Sequence, residues 1–371
     1  MSSVSVEPFV SALNASENRL REMAQAGKKI IGYFCTYTPV ELIHAAGFLP
    51  VRIMGGVGEV DDAYSLAPNF ICPPLLLSLE KALKGEYDYL SGIVQGYTCD
   101  VACGLVNIWE KNIGGEIYHM IPLPYNDNPA SREYFRSCIV ELNDKLESVG
   151  GKITEESLSN SLNLYAEIRK MVLGLYGKLS ESLLPLSAAD LFHVVRAGFV
   201  LPPEDYLEML KILQREIENA EIPERGGMPI LISGSLVEDP RAYRILEEVG
   251  GRVVSDDLCT GFRHFFPPDA EGDDAVGRLI SRYMKRFPCP SRARAKERAP
   301  LLIELVKHSG AKGVLFLFEK FCTPHLADYP ILRQELIKEN IPGIVVETEE
   351  TGIMEGQLRT RLQGFIEMLE N

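Results

Sequence analysis

Apolar and polar positions form alternating blocks along this chain. Short, continuously apolar runs, bounded by glycine, proline or acidic residues, are separated by longer segments whose apolar positions recur with a helical period. Such runs are typical of strands that helices cover on both faces, as in parallel sheets. We predict strands at 28–34, 48–55, 89–96, 116–124, 228–234, 251–258, 313–318 and 343–349. The pattern therefore predicts an α/β protein with two doubly wound, Rossmann-like parallel-sheet domains.

A long helical segment separates the two sets of strands. Helical periodicity continues from residue 130 to about 220, with Thr154 and Ser187 as predicted N-caps, and a PERGG turn at 223–227 follows. We therefore predict an N-terminal α/β domain over residues 1–150, a helical connector over 151–225 and a C-terminal α/β domain over 226–371. Two domains suit a length of 371 residues, which exceeds what one core usually accommodates, and they imply a cleft between them.

Three further helix boundaries are marked in the sequence. Thr38, Pro39 and Glu41 form a predicted capping box, with Thr38 as the N-cap of the helix that follows the first strand. The run 331–340 predicts a helix after the cysteine at position 322, and 357–369 predicts a final amphipathic helix. These helices would cover the faces of the two sheets.

Composition and charge narrow the class of protein. With 46% hydrophobic and 24% charged residues, the chain has the composition of a soluble globular enzyme or binding protein. A net charge of −14 argues against nucleic acid or an anionic membrane as the main partner, because binding phosphates relies on clustered Lys and Arg. The N-terminus does not resemble a signal peptide, and no apolar run is long enough to cross a bilayer. We expect a cytoplasmic protein.

Cysteines recur where predicted strands end. Cys35, Cys99, Cys259 and Cys322 each follow a buried run, and Cys72 precedes two prolines at a predicted helix start. Ligands gather at strand ends in open α/β sheets, and a helix N-terminus favours a thiolate. Scattered cysteines in a reducing compartment do not suggest a disulfide framework. The thiols are therefore predicted to be metal ligands, catalytic thiolates or buried structural groups.

The spacing of these cysteines leaves three interpretations open. If the two sheets face each other across the cleft, thiols from both domains could hold an iron–sulfur cluster assembled from distant segments, since ferredoxin-type spacing is absent. A zinc site of Cys99, Cys103, Cys322 and His325 is an alternative, because tetrahedral zinc accepts that ligand set. Structural cysteines without a metal are the third interpretation.

Several segments point to a known family. In chain order they are GYFCTYTPVELIHAAGFLPVRI, ICP at Cys72, TCD at Cys99, DDLCTGFRHF around Cys259, EKFCTPHLADYP around Cys322 and the tail ETEETGIMEGQLRTRLQGFIEML. Together they resemble the 2-hydroxyacyl-CoA dehydratase and benzoyl-CoA reductase family, on its beta-type (component D) subunit. The resemblance extends over nearly the whole chain, so it is more specific than any single motif.

The resemblance implies an iron–sulfur subunit of a 2-hydroxyacyl-CoA dehydratase, a lyase that eliminates water from a 2-hydroxyacyl-CoA through a ketyl radical to give the enoyl-CoA. It implies one [4Fe-4S] cluster held by Cys72, Cys99 and Cys322, with the fourth iron left for the substrate. It also implies a heterodimer with a homologous second subunit, and an ATP-dependent iron–sulfur activator as electron donor. A benzoyl-CoA reductase subunit, which reduces an aromatic thioester, is an alternative that these segments do not separate.

Two departures from the family pattern keep further alternatives open. Thr323 stands where the family usually has an acidic residue. Cys35, Cys259 and Cys289 are additional, and with the three matched cysteines they make the six that related double-cubane proteins use to hold an [8Fe-9S] cluster for reducing small molecules. That alternative is second, because those proteins have an extra cysteine-bearing segment in the first domain. A non-catalytic subunit that completes an interface is the third class.

Other polar residues are candidates for roles beside the cluster. His325 and Glu319 are the predicted catalytic residues, as proton carriers or orienting groups, and Asp328 is a further candidate. The segment SGSL, at 233–236, is predicted to open toward a helix N-terminus that could receive an anionic part of coenzyme A. Arg263 is a candidate contact for a phosphate or carboxylate.

Overall fold

The structure, a computed structural model, describes residues 4–292, 294–348 and 355–371. Two four-stranded parallel sheets form its framework. The first sheet contains β1 (Ile30–Tyr33), β2 (Leu49–Arg52), β3 (Gly92–Gly96) and β4 (Ile117–Ile121). The second contains β5 (Met228–Gly234), β6 (Gly251–Asp257), β7 (Gly313–Glu319) and β8 (Gly343–Thr348). The predicted α/β fold with two Rossmann-like parallel sheets is confirmed.

Helices cover the sheets and fill the segment between them. They are α1 (Glu7–Asn14), α2 (Ser16–Gln25), α3 (Val40–Ala45), α4 (Pro73–Leu83), α5 (Asp100–Asn112), α6 (Pro129–Ser148), α7 (Glu155–Ser180), α8 (Ala188–Ala197), α9 (Pro203–Glu218), α10 (Arg241–Glu248), α11 (Phe262–Phe265), α12 (Ala275–Met284), α13 (Ala295–Ser309), α14 (Thr323–Lys338) and α15 (Glu355–Glu370). None of them, within the residues described, is long and apolar enough to span a bilayer.

The two sheets have the same strand order. In the first, β1 lies between β2 and β3, with β4 outside β3, and in the second β5 lies between β6 and β7, with β8 outside β7. The direction of winding therefore reverses beside β1 and β3 in one sheet and beside β5 and β7 in the other. In open parallel sheets, ligands bind outside the carboxyl ends of the strands at such a switch point. The fold thus provides two equivalent switch points, one in each half.

Helix α7 connects the two α/β units. It packs against α3 of the first unit and against β6 and α11 of the second. Glu41 of α3 is fully buried and accepts hydrogen bonds from Arg169 of α7, at 2.5 Å, and from the hydroxyl of Tyr283 of α12, at 2.8 Å. Burial by itself would raise the pKa of Glu41, but Arg169, Arg282 and the hydrogen bonds lower it to about 2. The charged Glu41 carboxylate therefore connects elements that are distant in sequence, through an ion pair and a hydrogen bond.

Two predicted helix starts are confirmed, and two are corrected. Thr154 and Ser187 both form capping boxes. Thr38 does not cap α3: the N-cap is Pro39, and no side chain caps the helix. The Thr38 hydroxyl instead accepts a hydrogen bond from the backbone N–H of Gly96 at 3.1 Å. Helix α14 begins at residue 323 rather than 331, since Pro330 is tolerated inside it.

Some predictions on the chain's organisation are not tested by these observations. The limits of the three domains, 1–150, 151–225 and 226–371, stay a prediction. The end of the predicted strand at Glu349, and residues 349–354 of the quoted tail, lie outside the described residues. Of the described residues of that tail, 347 and 348 end β8, and those from 355 onward lie in α15, which begins two residues before the predicted start at 357.

Candidate metal centre

Three cysteines occupy the N-cap positions of three helices. Cys72 precedes α4, Cys99 precedes α5 and Cys322 precedes α14. Cys99 and Cys322 also follow β3 and β7, so each lies at the switch point of its sheet. The Cys99 sulfur accepts a hydrogen bond from the backbone N–H of Ala102 at 3.4 Å. The predicted positions of these cysteines, relative to strands and helices, are confirmed.

The three thiols lie within electrostatic range of one another, across the two α/β units. Cys322 and Cys99 both act electrostatically on Cys72, and Cys322 acts on Cys99, although separate elements carry them. Burial, the largest cause, raises the pKa of Cys72 well above its usual range and that of Cys99 and Cys322 to about 12. The chain by itself therefore holds three neutral thiols, and loading them with a metal would release protons.

Cys72 corrects one expectation about the helix N-termini. The partial positive charge at the start of α4 was expected to favour a thiolate. Burial and the neighbouring Cys322, Cys99 and Glu319 raise the pKa of Cys72 instead, and the hydrogen bond from the Leu75 backbone opposes them only weakly. In the chain without a metal, burial therefore favours the neutral thiol at Cys72. A bound cation would reverse this balance.

A second group of three cysteines adjoins the first. Cys35 follows β1, Cys259 follows β6, and Cys289 lies between α12 and α13. Cys289 and Cys259 act on both Cys35 and Cys322, while Cys35 acts on Cys99. All six cysteines are half-buried. Thiols from both α/β units therefore lie within electrostatic range of one another.

The remaining two cysteines, Cys103 and Cys138, are buried. Cys103 lies within α5 and Cys138 within α6. Across residues 4–292, 294–348 and 355–371, no three His, Cys, Asp or Glu side chains are placed to hold a single metal ion. The zinc alternative, which requires Cys103 beside Cys99, Cys322 and His325, therefore finds no ligand set in that part of the chain.

His325 is held between Cys322 and a backbone carbonyl. Its Nε2 lies 2.9 Å from the Gly234 oxygen, and its Nδ1 lies 3.3 Å from the Cys322 sulfur. A carbonyl can only accept, so Nε2 carries the hydrogen and Nδ1 is the acceptor that faces the thiol. Burial, Arg263 and Arg298 hold the pKa of His325 well below its usual range. A neutral imidazole with a fixed tautomer therefore orients Cys322, and its catalytic role stays a prediction.

The turn that carries Cys322 also contains the second predicted catalytic residue. Glu319 ends β7, is 8% exposed and acts electrostatically on Cys72 and Cys322. The next residue but one, Phe321, has a φ of 64° and is 39% exposed. Bulky residues rarely adopt that left-handed conformation, and strained backbone is typical of functional sites. The turn thus combines a buried carboxyl group, a strained aromatic residue and a half-buried thiol.

A buried network of charges joins α14 to the second sheet. Arg298, which is 1% exposed, donates to Asp257 and to Asp328 at 2.5 Å each, and to the Ser233 hydroxyl at 3.0 Å. The Ser233 hydroxyl also donates to Asp257 at 3.0 Å. Asp328, a candidate proton carrier in the sequence, is therefore the ion-pair partner of Arg298.

The two predicted anion contacts have different outcomes. Four residues separate the segment 233–236 from the start of α10 at Arg241, and its contact with an anion stays a prediction. Arg263 is 1% exposed; its Nη2 donates to the Gly234 carbonyl at 2.6 Å, and its Nη1 lies 3.7 Å from Asp257. The carboxylate that Arg263 contacts therefore belongs to this chain.

Two buried arginines beside Cys259, Arg52 and Arg286, are not singled out by any pattern in the sequence. Arg52, at the end of β2, donates to the Cys259 carbonyl at 2.6 Å, and its Nη2 lies 3.4 Å from the Cys259 sulfur. Arg286 donates to the carbonyls of Arg263 and His264, in the segment after Cys259. Guanidinium groups with carbonyl partners keep an uncompensated positive charge, which favours an anionic occupant nearby. No local pattern marks them, because their partners are distant in sequence.

The donor set fits an iron–sulfur cluster. The converging donors are thiols, which are the usual ligands of such clusters. Helix N-termini at Cys72, Cys99 and Cys322, with the buried arginines, supply positive potential around thiolate ligands.

Curated relatives are similar over almost the full chain. The (R)-phenyllactyl-CoA dehydratase beta subunit of Clostridium sporogenes is 28% identical, over 96% of each chain. One of the benzoyl-CoA reductase subunits of Thauera aromatica is 29% identical, over 94% of this chain and 93% of its own. The (R)-2-hydroxyglutaryl-CoA dehydratase beta subunit of Acidaminococcus fermentans is 25% identical, over 98% of each.

Among solved structures, a GTP-binding protein from Sulfolobus solfataricus is 11% identical over 92% of this chain and 99% of its own. It superposes with a TM-score of 0.24, which is too low to carry an argument.

The family comparison extends over the same region as the curated relatives. The profile of one protein family matches residues 35–369 and therefore includes all six half-buried cysteines. The resemblance inferred from the sequence segments is confirmed: the chain belongs to the family described as 2-hydroxyglutaryl-CoA dehydratase, D-component.

Proposed function

We propose that this chain is the iron–sulfur subunit of a cytoplasmic 2-hydroxyacyl-CoA dehydratase, a lyase that converts a 2-hydroxyacyl-CoA into the enoyl-CoA by way of a ketyl radical. Relatives named as dehydratase beta subunits support the reaction class. A benzoyl-CoA reductase subunit is the alternative within the same family, supported by the relative from Thauera aromatica. In either case a homologous partner subunit and an ATP-dependent iron–sulfur activator would complete the system.

The observation that carries the proposal is the meeting of Cys72, Cys99 and Cys322 at three helix N-termini between the two units. These three residues would hold a [4Fe-4S] cluster. When bound, such a cluster supplies an electron-transfer group and, at an iron without a protein ligand, a Lewis acid for a thioester oxygen or a hydroxyl group. The three cysteines are half-buried, so the chain by itself shields that chemistry from water only in part.

The chain's own residues would orient the site and move protons. His325 fixes the Cys322 side chain through Nδ1 and is itself fixed by the Gly234 carbonyl through Nε2. Glu319, buried beside Cys72 and Cys322, is the proposed carrier for the proton removed from the substrate carbon.

The test is the content of iron and acid-labile sulfide in anaerobically purified protein and in single Cys→Ala variants. We expect about four irons per chain in the wild type, and loss of the cluster in Cys72→Ala, Cys99→Ala and Cys322→Ala. Cys138→Ala, which removes a buried thiol in α6, is the matched control and should keep its iron. Full iron content and activity in the first three variants would instead indicate a non-catalytic subunit.

A second candidate is supported by the adjoining group of Cys35, Cys259 and Cys289. With six thiols meeting, the site could hold an [8Fe-9S] double cubane and reduce small molecules without an acyl-CoA. About eight irons per chain, with cluster loss in Cys35→Ala, Cys259→Ala or Cys289→Ala, would favour this candidate. Iron content unchanged by those three variants would exclude it and leave the four-iron proposal.

A further inference from the structure

A small cavity lies where α3, α7, α9, α11 and α12 come together. Its volume is about 20 Å³, and its described lining contains none of the six half-buried cysteines. A buried water molecule needs about 10–15 Å³, so the cavity has room for one particle of roughly that size. It is therefore too small for an organic ligand.

Five polar side chains of this lining have hydrogen-bonding atoms without a partner. These atoms are Nη2 of Arg169, Nε and Nη1 of Arg282, Nε of Arg286, the hydroxyl of Tyr206 and Nδ1 of His264. The three arginines and Tyr206 are at most 4% exposed. Buried polar groups almost always have a partner in native proteins. The unpartnered donors therefore indicate an occupant that accepts hydrogen bonds.

Three guanidinium groups line the cavity, and one carboxylate faces them. The Glu41 carboxylate accepts a hydrogen bond from Arg169 at 2.5 Å and lies 3.5 Å from Nε of Arg282. Arg286 donates to two backbone carbonyls, and it has no ion pair with a carboxylate in the described part of the chain. Buried charges are unfavourable unless opposite charges accompany them. The lining thus carries an excess of positive charge.

The electrostatics of Arg282 give the same indication. Burial lowers its pKa well below the usual range, Arg169 and Arg286 add to the lowering, and Glu41 opposes it. Glu204, a further carboxylate near the lining, is exposed and already pairs with a histidine. It is therefore a weak source of compensating charge.

A small anion satisfies both requirements of the cavity. A water molecule could accept hydrogen bonds from the unpartnered donors, but it would leave the excess charge uncompensated. A carboxylate or phosphate ligand would bring the charge, but it is larger than the space. Guanidinium groups are weakly hydrated cations, so they are suited to pairing with an anion inside a protein.

We propose that this cavity binds a chloride ion, or another monatomic halide of similar size. Arg169, Arg282 and Arg286 would be its charged contacts, and the Tyr206 hydroxyl would be a neutral donor. The bound anion would stabilise the packing of α7, α9 and α12 around Glu41 of α3. This proposal does not depend on the proposed function, because it uses neither the cysteines nor an acyl-CoA.

The direct test is anomalous diffraction from crystals of the full-length chain in bromide, which substitutes for chloride. We expect a bromine peak in the cavity, within contact distance of the Arg282 guanidinium. Density for an occupant without an anomalous signal would overturn the proposal and identify a water molecule.

The test in solution is thermal unfolding at constant ionic strength while chloride replaces gluconate. A ligand that binds only the folded chain raises the melting temperature as its concentration rises. We expect that rise in the wild type. Tyr206→Phe and Arg282→Met should each increase the chloride concentration that gives half of it by about tenfold, as loss of a hydrogen bond to a charged group does. Arg215→Met, which removes an exposed guanidinium from α9, is the control and should not change it.

Tyr206→Phe keeps the proposal testable if Arg282→Met does not fold. It removes only a hydroxyl group that has no partner within the described residues. The same chloride dependence in Tyr206→Phe and the wild type, or none in the wild type, would overturn the halide site. Sulfate that stabilises the wild type as well as chloride does would also overturn it, because sulfate does not fit the cavity.

Discussion

Arg298 illustrates how single buried charges hold the second unit together. It is 1% exposed, and its guanidinium bridges Asp257 of β6 and Asp328 of α14. Removing one partner from such a group leaves the others charged in an apolar environment. The free energy of unfolding that is lost on removing Arg298 is therefore larger than the net contribution of its ion pairs to stability.

We expect Arg298→Met to lower the free energy of unfolding by about 3–5 kcal/mol, because it leaves two carboxylates uncompensated. Urea unfolding followed by circular dichroism measures the change. Arg359→Met, which breaks an exposed pair with Glu248, is the control and should cost less than about 1 kcal/mol. Similar losses in the two variants would contradict the importance of burial.

His264 gives a prediction for pH. Burial, followed by the charges of Arg52 and Arg286, holds its pKa well below the usual range, so it stays neutral in the folded chain. Below pH about 6.5 the unfolded chain binds a proton that the folded chain does not, and stability falls by at most about 1.4 kcal/mol per pH unit. His264→Phe should therefore lose less stability than the wild type between pH 6.5 and 5. Parallel stability curves would refute this assignment.

The sequence predicts some residues of the site better than others. Cys72 is recognisable as a helix start because two prolines follow it directly, whereas the pattern after Cys322 predicts a helix only from 331, eight residues late. Arg298 is not recognisable as a buried residue, because its acidic partners are 41 and 30 positions away. A charged residue on a helix is ordinarily solvent-facing, and only the assembled fold places this one inside.

At the scale of elements, strand contacts at the carboxyl ends position the site. Gly234 ends β5, and its carbonyl accepts from both His325 and Arg263. A Cβ atom at this position would lie 2.0 Å from the Leu317 oxygen of β7. Glycine is therefore required for the close approach of the two central strands, where Cys322 emerges.

We expect Gly234→Ala to destabilise the fold by about 1–3 kcal/mol, as overpacking does, and to reduce iron content by displacing β7. Gly174→Ala is the matched control, since it lies in α7 with nothing within 4 Å of an added Cβ. The same substitution there should stabilise the helix by about 0.5–1 kcal/mol. Thermal unfolding and iron analysis check both variants. Changes in stability of the same sign in the two variants would contradict the packing argument.

Element boundaries show where sequence patterns suffice. The strand at 228–234 is predicted to the residue, because glycine and an apolar run mark both limits. Thr38 is mistaken for an N-cap because a threonine before proline satisfies the local pattern. Its hydroxyl is instead used across the sheet by Gly96, a contact between elements 58 residues apart. Tertiary hydrogen bonding overrides local capping signals there.

At the scale of the whole molecule, α7 and Glu41 determine how the two sheets behave together. Proteins of two α/β units often unfold in separate steps. Here α7 packs on both units, and the Glu41 carboxylate links α3 to α7 and α12 at full burial. Neither unit can therefore lose its packing without exposing buried groups of the other.

We predict that the two units unfold in one cooperative transition. Trp109, the single tryptophan, is 1% exposed in the first unit, so its fluorescence reports that unit while far-ultraviolet circular dichroism reports the whole chain. The two urea transitions should coincide. Glu41→Gln should lower both urea midpoints together. It should reduce the free energy of unfolding by about 3 kcal/mol or more, because Arg169 and Arg282 lose their buried counter-charge. If the fluorescence and dichroism transitions of the wild type are separated, the two units unfold independently. The buried ion pairs of Glu41 would then not couple them.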